Sequence, residues 1–462
     1  MANAVRQGGS WLRAFDEHHP PDPELIADCV HCGFCLPTCP TYLLWGEEMD
    51  SPRGRIQLMK MASQGEIGIT EHFVRHMDQC LGCMACVTAC PSGVQYNKLI
   101  EATRPQVERR FGRRASDRIL RSALFKLFPY PRRLQALLPL LFVYQKFGMA
   151  RLVDSSLGKR VIPHRLRSMA TILPTVHLTR RDRPHAAPYI AARGDGTPRR
   201  HAGVLLGCVQ RVFFEDVNAA TVRVLAAEGC DVVVPEAQGC CGALSFHAGR
   251  EDEGLTFARR LIDVFERAEV DTIVVNVAGC GSTLKEYGYL LRDDASYAER
   301  AAAFSSRVRD VTELLAEMEP IAPRHPIDAR VAYHDACHLA HGQGVRKQPR
   351  ALLRGIPGLD VVDIPEGEIC CGSAGVYNLL EPAAATQLGE RKARNILSTH
   401  PDALVAANPG CLLQISASLN MQARPLPMLH PVELVDASIR GVVPPALEAA
   451  RRQPDQAARS SS

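Results

Sequence analysis

The 462-residue sequence lacks the signals that carry a protein into or across a membrane. Its first residues, MANAVRQGGSWLRAFDEHHPPDPE, contain no apolar segment of the kind found in secretory signals. The longest apolar run, ALLPLLFVY at 136–144, is about half as long as a membrane-spanning helix. These absences predict a cytoplasmic protein, in which clustered cysteines hold metal more often than they form disulfides.

The sequence also lacks the motifs of a chain that carries out hydride chemistry by itself. No G-x-G-x-x-G follows a strand-like run, and neither a phosphate-binding loop nor a flavin fingerprint is present. A two-electron oxidation needs a cofactor that accepts hydride and releases electrons singly, which is the role of flavin. We therefore expect any flavin to be bound by a partner chain, and we expect no catalytic residues in this one.

Charge is distributed unevenly. Residues 101–200 contain 22 Lys and Arg against 6 Asp and Glu, whereas the whole chain carries a net charge of +4. Without a zinc-finger or helix-turn-helix signature, this basic segment does not indicate a nucleic-acid partner. Residues 119–153 of this segment read ILRSALFKLFPYPRRLQALLPLLFVYQKFGMARLV. This stretch is either an amphipathic surface helix packed on its own protein or a surface that docks on an acidic subunit or an anionic membrane. We take 101–200 as the candidate contact surface for the flavin partner.

Cysteines are abundant, and eight of the seventeen form two runs of identical spacing. CVHCGFCLPTCP at 29–40 and CLGCMACVTACP at 80–91 both read Cys-x-x-Cys-x-x-Cys-x-x-x-Cys-Pro. This is the bacterial ferredoxin pattern, in which three thiolates hold one 4Fe–4S cluster and the fourth holds the other cluster. Zinc sites use paired Cys-x-x-Cys units, so a third evenly spaced cysteine would be surplus. The predicted ligand sets are Cys29, Cys32 and Cys35 with Cys90, and Cys80, Cys83 and Cys86 with Cys39.

The segment between the two runs predicts helices. SPRGRIQLMKMA begins with Ser51 as N-cap and Pro52 at the first helical position, and TEHFVRHMDQ begins with Thr70. The stretch DPELIAD before the first run has a similar Asp–Pro start. The sequence therefore predicts an α-helical ferredoxin with two 4Fe–4S clusters, whose role is electron transfer because such clusters have no open position for a substrate.

The second half of the chain contains an internal repeat. HAGVLLGC at 201–208 matches ARVAYHDAC at 329–337, and the matching cysteines of the two copies are 129 to 131 residues apart. Strand-like runs alternate with helical stretches in each copy, which predicts parallel sheets. The predicted fold class is α/β multidomain: an α-helical ferredoxin followed by two repeated α/β cysteine-rich domains.

In both copies the cysteines come directly after strand-like runs. Because the carboxyl ends of parallel strands meet at one edge of a sheet, four thiols of each copy are expected to converge there. Such a group is either a metal site that holds an additional cluster or a set of buried structural thiols. Cys230 has no counterpart and is predicted to be an ordinary core thiol. The candidate ligands are Cys208, Cys240, Cys241 and Cys280 in the first copy and Cys337, Cys370, Cys371 and Cys411 in the second.

Histidines near these cysteines leave two interpretations open. A histidine can replace a thiolate ligand, as in Rieske-type centres. We favour surface or capping roles, which are common for histidine. The residues concerned are His334, Asp335, His338 and His341 around Cys337, and His247 after the first Cys-Cys-Gly.

Together these patterns predict the domain boundaries. The two ends of the chain are predicted to be disordered tails. The predicted segments are a tail at 1–20, the ferredoxin at 21–100, a basic helical connector at 101–200, cysteine-rich domains at 201–300 and 329–438 with a linker at 301–328 between them, and a tail at 439–462.

The Cys…Cys-Cys-Gly…Cys repeats resemble the cysteine-rich domains of heterodisulfide reductase subunits and of several membrane-associated respiratory dehydrogenases. With CVHCGFCLPTCPTYLLWGEEMDSPRGRI, ACPSGVQYNKLIE and QGCCGALSFHAG, the chain resembles the family of glycolate oxidase iron–sulfur subunits from residue 24 to about 438. The resemblance implies partner subunits that use FAD to oxidise glycolate to glyoxylate. It also implies that this chain passes the electrons toward a respiratory acceptor such as quinone, and that it associates peripherally with the inner face of the cytoplasmic membrane.

The sequence departs from the heterodisulfide reductase relatives at the end of each repeat. Those relatives end with Cys-x-x-Cys, whereas Thr283 and Gln414 occupy the final positions here. Each copy therefore keeps four thiols and lacks the fifth. Two alternative functions stay open: a disulfide reductase-type enzyme acting at a cluster in the Cys-Cys-Gly domains, and the equivalent subunit of a lactate or glycerol-3-phosphate dehydrogenase.

Overall fold

The N-terminal part begins with a short antiparallel pair, β1 (Arg6–Gln7) and β2 (Ser10–Trp11). Much of the predicted tail at 1–20 lies outside the described residues, but Ala14 and Phe15 near its end are buried in the core of the ferredoxin. The computed structural model describes residues 14–149, 164–174 and 197–459, with short pieces at 6–7, 10–11, 158, 160, 176 and 189–192.

The ferredoxin is helical, as predicted, and its helices begin at the predicted caps. The Ser51 hydroxyl accepts the N–H of Gly54 at 3.0 Å, and the Thr70 hydroxyl accepts the N–H of Phe73 at 3.3 Å. These bonds satisfy N–H groups that the first turn of a helix leaves unpaired. The helices are Pro23–Ala27, Pro40–Trp45, Pro52–Ser63, Glu71–Gln79, Ala85–Thr88 and Tyr96–Arg110, with a 3₁₀ turn at Glu48–Asp50.

The basic connector continues with the helices Ala115–Leu127, Pro131–Lys146 and His164–Thr171. The stretch predicted as one amphipathic unit at 119–153 is divided between two helices because Pro131 starts a new one, and its residues 150–153 lie outside the described residues. We call Pro131–Lys146 and His164–Thr171 the cover helices.

Part of the connector's positive charge is neutralised within the chain. Arg113 forms an ion pair with Asp78 at 2.7 Å, and Arg121 bonds to Asp117 at 3.1 Å. Leu124 and Phe125 of the helix Ala115–Leu127 are buried in one apolar cluster with Val376, so this helix is packed on its own protein, which agrees with the first interpretation of this stretch.

The first cysteine-rich domain contains a parallel sheet. β4 (Arg200–Leu205) and β6 (Thr272–Val275) lie in its middle, between β5 (Cys230–Val233) and β7 (Val308–Asp310). A short strand, β3 (Tyr189–Ile190), adds to β5 in the antiparallel direction.

The second cysteine-rich domain repeats this order. β8 (Ala329–His334) and β10 (Ala403–Ala406) lie between β9 (Leu359–Asp363) and β11 (Met428–Leu429), and all neighbours are parallel. The identical strand order confirms the predicted internal repeat and its parallel sheets.

Helices pack on both faces of the first sheet. Along β6, Val274 packs into one apolar core, whereas Ile273 and Val275 pack into another on the opposite face, as the two-residue period of a strand requires. The core on the side of Val274 also contains Val331 and Val405 of the second sheet, so the two domains share it. The helices of the first domain are Gln210–Phe213, Glu215–Ala227, Ala243–His247, Glu251–Glu266, Ala278–Lys285, Tyr287–Leu290, Ala298–Ser306 and Val311–Glu317. The helices of the second domain are Lys347–Arg354, Tyr377–Leu380, Pro382–Leu397, Pro409–Met421, Pro431–Arg440 and Pro445–Arg459, with a turn of π-helix at His338–Gly342.

Two predicted segments differ from the structure. Residues 301–328, predicted as a linker, contain β7 and its flanking helices and complete the first sheet, because Val308 and Val311 are buried on it. The predicted tail at 439–462 contains the helix Pro445–Arg459, whose Leu447 is buried in the shared core, while residues 460–462 lie outside the described residues. Among the helices that the structure describes, none has both the length and the apolar character needed to span a bilayer.

Candidate metal centres

The ferredoxin cysteines surround two neighbouring cavities. All seventeen cysteines of the chain are described, and all are free thiols, so no disulfide competes for them. Four free thiols around each cavity fit the donor set of a 4Fe–4S cluster. Their grouping agrees with the crossed sets expected from the sequence, and ligation itself stays a prediction. The first cavity is lined by Cys29, Cys32, Cys35 and Cys90, and the second by Cys39, Cys80, Cys83 and Cys86, of which Cys86 also reaches the first.

The two cysteine loops share a backbone conformation that the sequence shows only in part. Gly33 and Gly82 have φ angles of +88° and +63°, in the left-handed region that glycine adopts readily. His31 and Met84 also have positive φ, at 55° and 62°. Left-handed residues thus stand at the second and fourth positions after Cys29 and after Cys80, although glycine marks just one of them in each loop.

Solvent exposure separates the two cavities. In the first, Cys32 is exposed, and the loop beside it leaves Val30 and Phe34 68% and 64% exposed. The four cysteines of the second cavity are all buried. The first cavity is therefore the one that an external electron donor can approach.

A buried arginine sits beside the second cavity. Arg55 is 1% exposed and donates hydrogen bonds to the Asp50 carbonyl at 2.6 Å and the His76 carbonyl at 2.7 Å. Burial alone would raise the pKa of the Cys80 thiol, but Arg55 and Arg104 outweigh it and hold that pKa below its usual value. The two arginines therefore favour the thiolate of Cys80, whereas burial raises the pKa of Cys83 and that of Cys86. Sequence reasoning missed Arg55, whose only signal is a charge on the buried face of a helix.

In the cysteine-rich domains, the cysteines converge at the carboxyl ends of neighbouring strands, as predicted. Cys208 follows β4, Cys240 and Cys241 follow β5, and Cys280 lies in the first turn of the helix after β6. The Sγ atoms of Cys208 and Cys240 are 3.7 Å apart. The equivalent positions of the second domain are Cys337 after β8, Cys370 and Cys371 after β9, and Cys411 after β10.

Hydrogen bonds among the thiols favour a thiolate in each group. The pKa of Cys241 is lowered well below its usual value, chiefly by the hydrogen bond from Cys240. The pKa of Cys371 is lowered in the same way, chiefly by Cys370. Because the thiolate is the form that binds metal, both groups are suited to that role.

Both groups of thiols open on one cavity of about 480 Å³. The carboxyl edges of the two sheets form its floor, and the cover helices form its roof. Its walls are mainly apolar, so the thiols face an apolar space. Side chains of the roof include Leu134, Leu137, Leu141, Tyr144 and Met169.

The ferredoxin adjoins the second cysteine-rich domain directly. Cys83, from the second ferredoxin cavity, lies in one apolar cluster with Cys337 and Cys370. The Thr88 hydroxyl and the Nδ1 of His341 are 2.7 Å apart. The thiols thus form a series from the protein surface to the second domain.

The histidines around these cysteines are buried, so the expected surface roles are wrong. His334, His338 and His341 are 1%, 8% and 7% exposed. The Nδ1 of His338 lies 3.4 Å from the sulfur of Cys337, and its Nε2 lies 2.8 Å from the Nε2 of His247 in the other domain. His338 and His341 are buried because they link the domains, through His247 and Thr88 respectively, a contact that the sequence does not show. Asp335 forms an ion pair with Arg350 at 2.7 Å.

The fold and its thiol groups define a multidomain iron–sulfur protein, and comparison with known proteins agrees. A "4Fe-4S dicluster domain" family model matches residues 25–94, and a "Cysteine-rich domain" model matches 202–285 and 331–416. A third model, "Glycolate oxidase iron-sulfur subunit, linker region", matches residues 116–173, which include the cover helices.

Full-length relatives identify the family. The chain is 37% identical to the "Probable glycolate oxidase iron-sulfur subunit" of Bacillus subtilis, over 86% of this chain and 90% of that protein. It is 35% identical to the "Glycolate oxidase iron-sulfur subunit" of Escherichia coli, over 90% and 94%. "Lactate utilization protein A" of Halalkalibacterium halodurans is 30% identical over 50% of this chain and 95% of that protein. The chain belongs to the family of glycolate oxidase iron–sulfur subunits, which confirms the resemblance and the fold class expected from the sequence.

Proposed function

We propose that the chain is the electron-transfer subunit of a flavin-dependent glycolate dehydrogenase, and that it passes electrons from FAD on a partner subunit toward quinone. Two 4Fe–4S clusters on the ferredoxin cysteines would supply the one-electron steps that connect flavin to the acceptor. The observation that carries the proposal is the series of thiols from exposed Cys32, through the buried second cavity, to Cys337.

Electrons enter, on this proposal, at the first ferredoxin cavity. The exposed apolar side chains of Val30 and Phe34 beside Cys32 give a flavin subunit a surface on which to dock close to the first cluster. The basic segment at 101–200, expected from the sequence to be the contact surface, stays a second candidate.

Electrons leave at the cavity under the cover helices. A volume of about 480 Å³ with apolar walls suits the ring of a quinone and part of its isoprenoid tail. The cover helix Pro131–Lys146 leaves Leu140 68% exposed, and Phe147 just beyond its end is 73% exposed. With Arg132 and Arg133 at its start, this helix fits a peripheral position at the inner face of the cytoplasmic membrane, from which quinone would enter.

Reduction of a quinone also consumes protons, and buried acids are available nearby. His247 lines the cavity, and its Nδ1 lies 3.4 Å from Glu101. Burial raises the pKa of Glu101 to about 7 and that of Glu286 to about 8. Carboxyl groups that exchange protons near neutral pH support a proton supply to this cavity.

Glycolate is favoured over other hydroxy acids by the extent of the similarity. The glycolate oxidase subunits are similar along nearly the whole chain, whereas "Lactate utilization protein A" matches 50% of it. The lactate and glycerol-3-phosphate assignments remain the alternatives to be tested.

The test is purification of the tagged chain from its native cell under anaerobic conditions. We expect flavin subunits to copurify and the visible iron–sulfur absorption to bleach on addition of glycolate, with lactate and glycerol 3-phosphate as comparison substrates. Bleaching by lactate but not by glycolate would transfer the assignment to a lactate dehydrogenase. If the chain purifies without flavin subunits and reduces a disulfide substrate, the proposal is overturned in favour of a disulfide reductase.

A further inference from the structure

The two cysteine-rich domains differ at one position beside their thiols. His334 is the last residue of β8, and the same place in the repeat is held by Leu205, the last residue of β4. Their strand pairings are equivalent, since His334 is paired with Ala406 of β10 and Leu205 with Val275 of β6. A polar side chain therefore replaces an apolar one at the edge where the thiols converge.

His334 is buried, and the polar groups beside it are thiols. Its side chain is 1% exposed, and within the described part of the chain neither ring nitrogen forms a hydrogen bond of acceptable geometry. His338 and His341, in the same stretch, both have partners. A buried imidazole needs a polar partner, and the sulfur of Cys371 is the one that faces it.

The neighbours of this imidazole are thiols. A ring nitrogen of His334 and the Sγ atoms of Cys371 and Cys411 all lie within 4.8 Å of one another, and all three residues are buried. They come from the carboxyl ends of β8, β9 and β10. With metal bonds of about 2.0 Å to nitrogen and about 2.3 Å to sulfur, such donors can share one metal ion or neighbouring irons of a cluster.

We propose that the second cysteine-rich domain holds an iron–sulfur centre in which His334 is a nitrogen ligand beside the thiolates of Cys371 and Cys411. Cys337 and Cys370 of the same group complete the donor set. Gln414, which stands where relatives carry a further cysteine, is not available because its amide bonds to Asn378 at 3.0 Å and to the Ala385 carbonyl at 2.9 Å.

This ligation makes the two domains unequal. A neutral imidazole in place of a thiolate lowers the negative charge of a centre and raises its reduction potential, as in Rieske-type centres. The first domain, with Leu205 at the equivalent position, has thiols alone. A centre with a raised potential thus lies in the domain that contacts the ferredoxin.

The decisive experiment compares three variants of the full chain, purified anaerobically in its complex. His334→Leu copies the first domain and leaves the four thiols in place, so it should lose the nitrogen coupling seen by pulsed EPR. His334→Cys should retain the iron but lose the nitrogen coupling seen by pulsed EPR and shift the potential of the centre downward. His400→Asn is the matched control, because His400 is an exposed histidine of the same domain whose φ of 50° asparagine tolerates.

Iron content and pulsed EPR of the reduced protein are the readouts. Loss of the nitrogen coupling in both His334 variants, with the signal of His400→Asn unchanged, supports the proposal. If His334→Leu keeps both its iron content and its nitrogen coupling, the proposal is overturned. It is also overturned if the unmodified chain binds zinc at this site and His334→Leu loses that zinc. The ferredoxin signals serve as an internal reference, so failure of this proposal is distinguishable from failure of the proposed function, which is tested by copurification of flavin subunits and by bleaching of the ferredoxin absorption with glycolate.

Discussion

The two cysteine-rich domains are copies of one scaffold placed in different surroundings. Both have the strand order of a duplicated sheet and thiols at the same three strand ends. Cys337 of the second domain packs with Cys83 of the ferredoxin, whereas Cys208 of the first packs with Tyr130 next to the cover helices. The duplication thus fixes where the thiols lie, and the neighbouring residues decide which copy is joined to the electron path.

The largest effect is expected from Cys83→Ser, which removes the ferredoxin thiol nearest the second domain. Mutating a residue that hydrogen-bonds to a metal ligand typically lowers activity roughly 10- to 100-fold. Removing a ligand itself should have a larger effect, so the rate of quinone reduction should fall by more than about 100-fold. The partner flavin should still be reduced by glycolate. Stopped-flow absorbance follows both steps in one sample.

Cys230→Ala is the control for this variant, because Cys230 is buried in the apolar core away from both thiol groups. If Cys83→Ser reduced quinone at the full rate, the ferredoxin would not lie on the electron path to quinone.

A direct comparison of the copies comes from Cys337→Ser and Cys208→Ser. Because Cys337 adjoins the ferredoxin, its variant should slow quinone reduction about tenfold more than Cys208→Ser does. Steady-state rates with a soluble quinone, normalised to ferredoxin iron, measure the difference. Equal losses in the two variants would mean that both domains carry electrons alike.

The sequence predicted much of this arrangement because its signals are local. Cysteine spacing groups the ferredoxin thiols, and the offset between Cys208 and Cys337 reveals the duplication. Caps such as Ser51 depend on a few adjacent residues, so they were recognised as well. Strand ends in a parallel sheet then bring the remaining thiols together.

What the sequence did not show depends on contacts between distant segments. β7 has three residues, too few for a periodic pattern, so its segment reads as a linker until Val308 is seen on the sheet. His334 and His338 lie four residues apart in one stretch, yet just one of them finds a hydrogen-bond partner, His247 from the other domain. Burial and pairing of this kind are properties of the assembled fold.

A smaller effect is expected where the ferredoxin meets the second domain. Thr88→Val keeps the shape of the side chain but removes the hydroxyl that contacts His341, at a cost of about 1 kcal/mol in the free energy of unfolding. Denaturation followed by loss of the ferredoxin absorption measures it. Thr256→Val, at an exposed position of the first domain, is the control, and equal destabilisation by both would show that the contact adds nothing.

The smallest effect concerns the helix caps that follow the last strand of each sheet. Asp310 caps Val311–Glu317 in the first domain, and His430 caps Pro431–Arg440 in the second. Burial raises the pKa of Asp310 to about 6 and lowers that of His430 to about 3. The folded state therefore holds the Asp310 proton more tightly than the unfolded chain does, and holds a proton on His430 less tightly.

The two caps should give pH dependences of opposite sign. The contribution of Asp310 is present below pH 3.8 and is lost as the pH rises through about 6, whereas that of His430 is present above pH 6.5 and is lost as the pH falls toward about 3. Asp310→Asn keeps an acceptor for the N–H of Thr312 and should raise the thermal midpoint at pH 7 but not at pH 4. His430→Asn should lessen the fall in that midpoint between pH 6.5 and pH 4. If both variants changed the dependence of the thermal midpoint on pH in the same direction, the prediction that the two caps have pH dependences of opposite sign would be wrong.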